Sequence, residues 1–185
     1  MEKQINDANP SLDKIEEKRE EKLKNYLAKT KNGFEVYVDM ESSHASTHFA
    51  HHPKLFEAVK KAVSSIEANE EIIRAEMDMG EEIGTTDLIQ TSDQDEIVYA
   101  KRPLREQYSR FVKNKSSRPT SWITIDLRKD GNIYNLYTSF VGRLTPSFPG
   151  GNFLSEQSRE FWSNHALVWG SQEIVPGTET TECPW

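Results

Sequence analysis

Two alternating stretches joined by a tight-turn signal constrain this chain more than any other feature. Ser121-Trp122-Ile123-Thr124-Ile125-Asp126-Leu127 sets apolar residues at every second position, the period of a half-buried strand. Lys129-Asp130-Gly131-Asn132 follows, and Ile133 to Val141 returns. Asp-Gly between two such runs favours a hairpin, because glycine accepts the left-handed backbone that a two-residue turn needs. A hairpin over 121–141 is expected, and its apolar face needs a second layer to cover it.

Other segments supply that layer. Leu55, Phe56, Val59, Ala62, Val63 and Ile66 recur at helical spacing behind Pro53, a residue suited to a first helical position. Ser11 to about Lys31 reads as a charged helix with a thin apolar stripe, ended by Asn32-Gly33. Phe34 to Val38 reads as a short strand, whereas 67–82 is acidic and shows no clear period. Ile83 to Thr91 and Glu96 to Lys101 read as strands joined by a turn at Ser92-Asp93-Gln94-Asp95. Pro103 opens a short helix over 103–113, and a basic loop runs to Thr120. Ser155 to His165 reads as a helix with Ser155 as its cap.

The expected fold is α+β. An antiparallel sheet of about four strands (83–91, 96–101, 121–128, 133–141) carries the N-terminal helices on one face, and a C-terminal helix comes late. Residues 1–32 form a charged helix with a disordered start. Residues 33–170 form a single α+β domain, and 171–185 an irregular tail.

Composition narrows the function classes. No run approaches the roughly 18 apolar residues of a membrane span, and mean hydropathy is −0.74. Met1-Glu2-Lys3-Gln4 lacks the apolar core of a signal peptide. The lone Cys183 excludes an internal disulfide framework and a multi-cysteine zinc site. A cytoplasmic protein with no membrane contact is expected. The formal charge of −7 is unevenly spread. Residues 33–97 carry 4 basic and 15 acidic groups, and residues 98–143 carry 10 and 3. Either the basic block contacts a phosphate backbone, or the two blocks neutralise each other in the fold.

Four of the five histidines lie between His44 and His52. Imidazole both moves protons near neutral pH and binds metals. His44, His48 and His52 are spaced i, i+4, i+8, but Pro53 disfavours helix at His52. No His-Glu-x-x-His pattern or cysteine pair completes a ligand set, so no metal and no cofactor is expected. Surface histidines without a role, a His-based metal site and acid–base work all remain open from the residues alone.

Thr47-His48-Phe49-Ala50-His51-His52-Pro53, followed by an amphipathic helix, and the later Tyr137-Thr138-Ser139-Phe140 on the return strand carry a resemblance. Over roughly residues 36–142 the pattern resembles phage- and toxin-type ribonucleases of the barnase/EndoU/colicin/RelE-like superfamily. The resemblance implies a metal-independent endoribonuclease of a toxin or phage. It would cleave RNA through attack by the substrate's own 2′-hydroxyl, with an antitoxin or immunity protein as possible protein partner. That chemistry needs a base, an acid and cations around one phosphate. His48 and His52 are the candidates for proton transfer, and Arg102 and Thr138 for stabilising the phosphate in catalysis. Lys101, Arg105, Ser139 and Tyr108 are the candidates for holding RNA. The alternative is a non-enzymatic, acidic interaction or immunity-type module of a mobile element, since an acidic face suits a basic target.

Overall fold

The computed structural model describes residues 14–16, 25–41, 44–151 and 155–185. The expected charged helix therefore lies largely outside the described residues. Its last turn does not exist, because Tyr26–Lys29 is a strand, β1. Leu27 and Ala28 are buried there.

The 121–141 hairpin forms as its pattern requires. β9 (Trp122–Asp130) and β10 (Ile133–Val141) pair antiparallel across Gly131, whose φ is 61°. They sit inside a five-stranded sheet of order β1-β2-β10-β9-β3, with β2 spanning Glu35–Tyr37 and β3 Ile72–Asp78. Ile123, Ile125 and Leu127 face one side together with Ile73, Ala75 and Met77. Two helices cover that side: α1 (His44–His51) and α2 (Leu55–Val63). Leu55, Val59 and Val63 of α2 are fully buried against it. On α1, Ala45 and Phe49 lie one turn apart and turn inward. Phe49 meets Phe56 of α2 edge to face at 5.2 Å.

The rest departs from a single four-stranded antiparallel sheet. The fold is mixed α+β, and the described residues form more strands, arranged in three sheets. β2 runs parallel to β10, so even the main sheet is mixed. The expected strand 83–91 divides into β4 (Gly84–Thr86) and β5 (Leu88–Gln90), which belong to different sheets. β4 pairs with β8 (Arg118–Thr120) inside the expected basic loop. The expected helix over 103–113 is instead β7 (Tyr108–Val112). A second sheet has the order β5-β11-β7-β6, with β6 at Ile97–Lys101 and β11 at His165–Val168. Ser92–Asp95 does turn, with the Ser92 amide donating to the Asp95 carboxylate at 2.7 Å. Yet β5 and β6 are the outer strands of that sheet rather than a hairpin, because β11 and β7 lie between them.

α3 (Glu156–Asn164) starts at Ser155, whose hydroxyl accepts from the Ser158 amide at 3.1 Å. The segment after Gly170 is mostly irregular, but it is attached. Thr180 bridges Tyr99, and the Trp185 ring meets the Tyr99 ring at 5.2 Å.

Among the described residues, three pairs join a carboxylate of the acidic block to a cation of the basic one, Glu71–Lys129, Glu76–Arg143 and Asp95–Lys115, and Arg74–Asp126 joins the blocks with the signs reversed. Mutual neutralisation therefore accounts for part of the charge asymmetry. Among the described residues, no helix is long and apolar enough to cross a membrane.

Candidate functional site

The histidine cluster sits on α1, and Pro53 explains where that helix stops. The His52 amide still donates to the His48 carbonyl at 3.0 Å, but Pro53 has no N–H to continue the ladder. Because Ala45 and Phe49 take the inward face, the imidazoles are left on the flank and outer face. His44 and His51 are exposed, and His48 and His52 are half-buried.

α1 lies along β10 where that strand has lost its partner. β2 pairs with β10 only over Ile133–Asn135, so the edge beyond it is open to the helix. The result is a cavity of about 410 Å³. Thr47, His48, His51 and His52 line it from α1 and its end, and Thr85, Thr86 and Asp87 line it from a second wall at β4, with Gln172 also present. Phe140 and Val141 close the end, and the His48 and Phe140 ring centroids are 6.2 Å apart.

Two imidazoles have defined settings. His51 Nδ1 lies 2.8 Å from the Thr47 carbonyl oxygen. A carbonyl only accepts, so Nδ1 carries a proton in this hydrogen bond. His52 packs against the bare backbone of Gly84. A Cβ built at that glycine falls 2.7 Å from His52 Nδ1 and 3.2 Å from Val141 Cγ2. Gly84→Ala is therefore expected to displace the His52 ring and to cost about 1–3 kcal/mol. NMR of the imidazole signals checks this, and an unmoved His52 signal contradicts the packing.

Burial lowers the pKa of His48 below its ordinary value, and the neighbouring His44, His52 and His51 lower it further. His48 is thus held mainly unprotonated at pH 7, with a ring lone pair able to accept a proton. The sign for stability follows by linkage. Unfolded chain binds this proton more readily than folded protein, so protonation favours unfolding. The contribution is whole above the unfolded value of 6.5 and is lost as pH falls through the depressed folded value. Wild type is expected to lose more stability between pH 7.5 and pH 5 than His48→Gln does, measured by urea unfolding. Equal losses would remove His48 as the cause.

The other sequence-derived candidates lie elsewhere. Arg102 and Arg105 line a separate cavity with Ser109, Phe148 and Trp162, and it shares no lining residue with the histidine cavity. Ser109 and Asp87 lie two strands and three residues apart through β7, β11 and β5. That corresponds to about 14 Å of backbone separation. Lys101 Nζ lies 5.3 Å from the centroid of the Tyr108 ring, the paired residue on β7. Thr138 and Ser139 are neighbours on a strand, so they face opposite sides. Ser139 is fully buried on the core face beside Ile125, and its hydroxyl has no partner among the described residues. Thr138 lies on the outer face, paired with Asp126, and lines neither cavity. The structure therefore brings His48 and His52 together but separates them from Arg102, Arg105, Thr138 and Ser139.

Sequence reasoning missed the second wall, Thr85 to Asp87. The signal was Gly84-Thr85-Thr86-Asp87, a small and polar run in what otherwise reads as one strand. Asp87 accepts a hydrogen bond from the Ser117 hydroxyl, which ties this wall to the β7–β8 connection. Among the described residues, no group of three His, Cys, Asp or Glu side chains is arranged to hold a metal.

Compared with family models, curated proteins and solved structures, the chain matches none.

Proposed function

We propose that the histidine cavity is an acid–base site that cleaves RNA without a metal, through 2′-hydroxyl attack. The supporting observation is the gathering of His48, His51, His52, Thr85 and Thr86 around one polar cavity. His48, kept neutral, is the base that removes the 2′-hydroxyl proton. The 2′-oxygen then bonds to phosphorus, and the bond from phosphorus to the 5′-oxygen breaks. His52, on the same wall, returns a proton to that leaving oxygen. Thr85 and Thr86 donate hydrogen bonds to the phosphate oxygens. His51 lines the same cavity and is the second candidate for either proton transfer. Arg102, Thr138 and Ser139 have no part in this version of the site.

A second reading has its own observation. Glu70, Glu71, Glu81 and Glu82 are exposed on either side of β3, which is an edge strand of the main sheet. An acidic rim around an unpaired edge suits a basic protein partner. Incubation of the purified protein with single-stranded RNA in EDTA separates the two. Cleavage with a 2′,3′-cyclic phosphate end supports the first reading. Intact RNA across pH 5 to 9 removes it and leaves the interaction module.

A further inference from the structure

The pocket around Arg102 is built differently from the histidine cavity. Arg102 leaves β6 and is half-buried. Its Nε donates to the Ser109 hydroxyl at 2.9 Å, and Ser109 is only 1% exposed. Its guanidinium carbon lies 5.5 Å from the Phe148 ring centroid. Phe148 is in turn stacked on Trp162 at 3.7 Å, and the Trp162 Nε1–H donates to the Pro146 carbonyl. One nitrogen and one face of the guanidinium are therefore fixed by buried groups. Among the described residues, the two terminal nitrogens have no hydrogen-bond acceptor, and neither Arg102 nor Arg105 has a carboxylate partner. The cavity beside them measures about 250 Å³, and the hydroxyl-bearing Thr145 and Ser147 also line it.

A fixed, half-desolvated fork without a counter-charge is a poor device for stability alone, because removing a cation from water needs an anion in return. Burial, and then the charge of Arg105, lower the pKa of Arg102. Guanidinium remains charged all the same. Two parallel N–H donors match the oxygens of a tetrahedral oxyanion. The cavity is smaller than the roughly 300–1,000 Å³ of most ligand sites, so it suits a single compact group. Trp162 and Phe148 are buried as its floor and offer no open ring for a base to stack on.

We infer that the Arg102–Arg105 pocket is a phosphate-binding site, distinct from the histidine cavity and independent of any cleavage there. The phosphate is either free or the terminal group of an organic monoester, such as the end of an oligonucleotide.

Calorimetric titration of the full chain tests this with three probes: inorganic phosphate, a 5′-phosphorylated DNA dinucleotide and the same dinucleotide with a 5′-hydroxyl. DNA is used so that no cleavage complicates the binding. Saturable binding of inorganic phosphate and of the phosphorylated dinucleotide equally points to a free-anion site. Tighter binding of the phosphorylated dinucleotide points to a nucleic-acid end. Both support the proposal, provided that the 5′-hydroxyl form binds at least about tenfold more weakly than its phosphorylated counterpart. Arg102→Lys keeps the charge but loses the fork, and is expected to weaken binding about tenfold. Arg105→Gln removes an exposed cation, leaves the fold intact and is also expected to weaken binding. Lys61→Gln, the same charge change on α2, is expected to leave binding unchanged. The proposal is overturned if folded protein binds neither phosphate-bearing probe. It is also overturned if Arg105→Gln and Arg102→Lys, both folded, bind as wild type does. Neither outcome depends on RNA cleavage, so failure here is distinct from failure of the nuclease reading.

Discussion

His48→Ala and His52→Ala are each expected to slow RNA cleavage by about 10²–10⁴-fold, the usual worth of a positioned general base or acid. The two should differ in their pH profiles. Loss of the base removes the acidic limb of the rate profile, and loss of the acid removes the alkaline limb. Because the nucleophile is the substrate's own 2′-hydroxyl, DNA should remain uncut by every variant. Thr85→Ala and Thr86→Ala should lose less than either histidine variant, since each removes one neutral hydrogen bond to the phosphate. Arg102→Ala is expected to leave the chemical step unchanged, because Arg102 lines a different cavity. A fall in rate for Arg102→Ala as large as that for His48→Ala would show that the two cavities act on one phosphate. Cleavage undiminished in both histidine variants would end the proposal.

The legibility of this fold differs element by element, and the reasons are local. The β9–β10 hairpin was readable because strand period and turn chemistry agree over the same residues. α2 was readable because its apolar stripe is long and regular. β7 was not. Tyr108, Phe111 and Val112 satisfy the i, i+3, i+4 spacing of a helix, and a short apolar run cannot decide between the two. Pairing on both sides, with β6 and β11, decides for strand, and Ser109 to Val112 are consecutively buried as an interior strand allows. β3 does alternate, with Ile73, Ala75 and Met77 inward, but Ala and Met mark the pattern faintly among four charged or exposed neighbours. The main sheet's parallel β2–β10 pairing brings together residues nearly a hundred positions apart, and no local signal encodes it.

The candidate site divides in the same way. The histidine wall is local, with Thr47, His48 and His51 on α1 and His52 just past its end, so the sequence displays it. The Thr85–Asp87 wall reaches the cavity through β4–β8 pairing, a contact more than thirty residues apart. The bulge between Leu136 and Thr138 decides which residues of the return strand face the core. Tyr137 is the extra residue there, exposed beneath the Arg128 guanidinium at 3.4 Å. That displacement buries Ser139 and turns Thr138 outward. Grouping them as a phosphate-binding pair reads the sequence without the alternation of a strand.

Trp162→Ala is expected to cost about 3–5 kcal/mol, the range for removing a large buried aromatic side chain. Trp162 is 1% exposed and is among the largest fully buried side chains of the molecule. It stacks on Phe148 at 3.7 Å, meets Phe161 edge to face at 5.1 Å and satisfies the Pro146 carbonyl through Nε1–H at 3.0 Å. Truncation leaves a void, an exposed face on Phe148 and an unpaired carbonyl together. At this chain length the melting temperature should fall by about 10 °C or more. Trp162→Phe separates the contributions: it keeps most of the stack, loses the hydrogen bond and should cost only about 1–2 kcal/mol. The two cores of the second sheet are small, Ile89 with Val112 and Ala166 on one side and Val98 with Ala100 and Phe111 on the other. Outside those cores, the Trp162–Phe148 stack and the Trp162–Pro146 hydrogen bond tie α3 to the loop at Pro146. Because the same stack is the floor beneath Arg102, Trp162→Ala should also weaken phosphate binding, whereas Trp162→Phe should preserve it. A loss of stability below about 1 kcal/mol for Trp162→Ala would mean that α3 is held by other contacts.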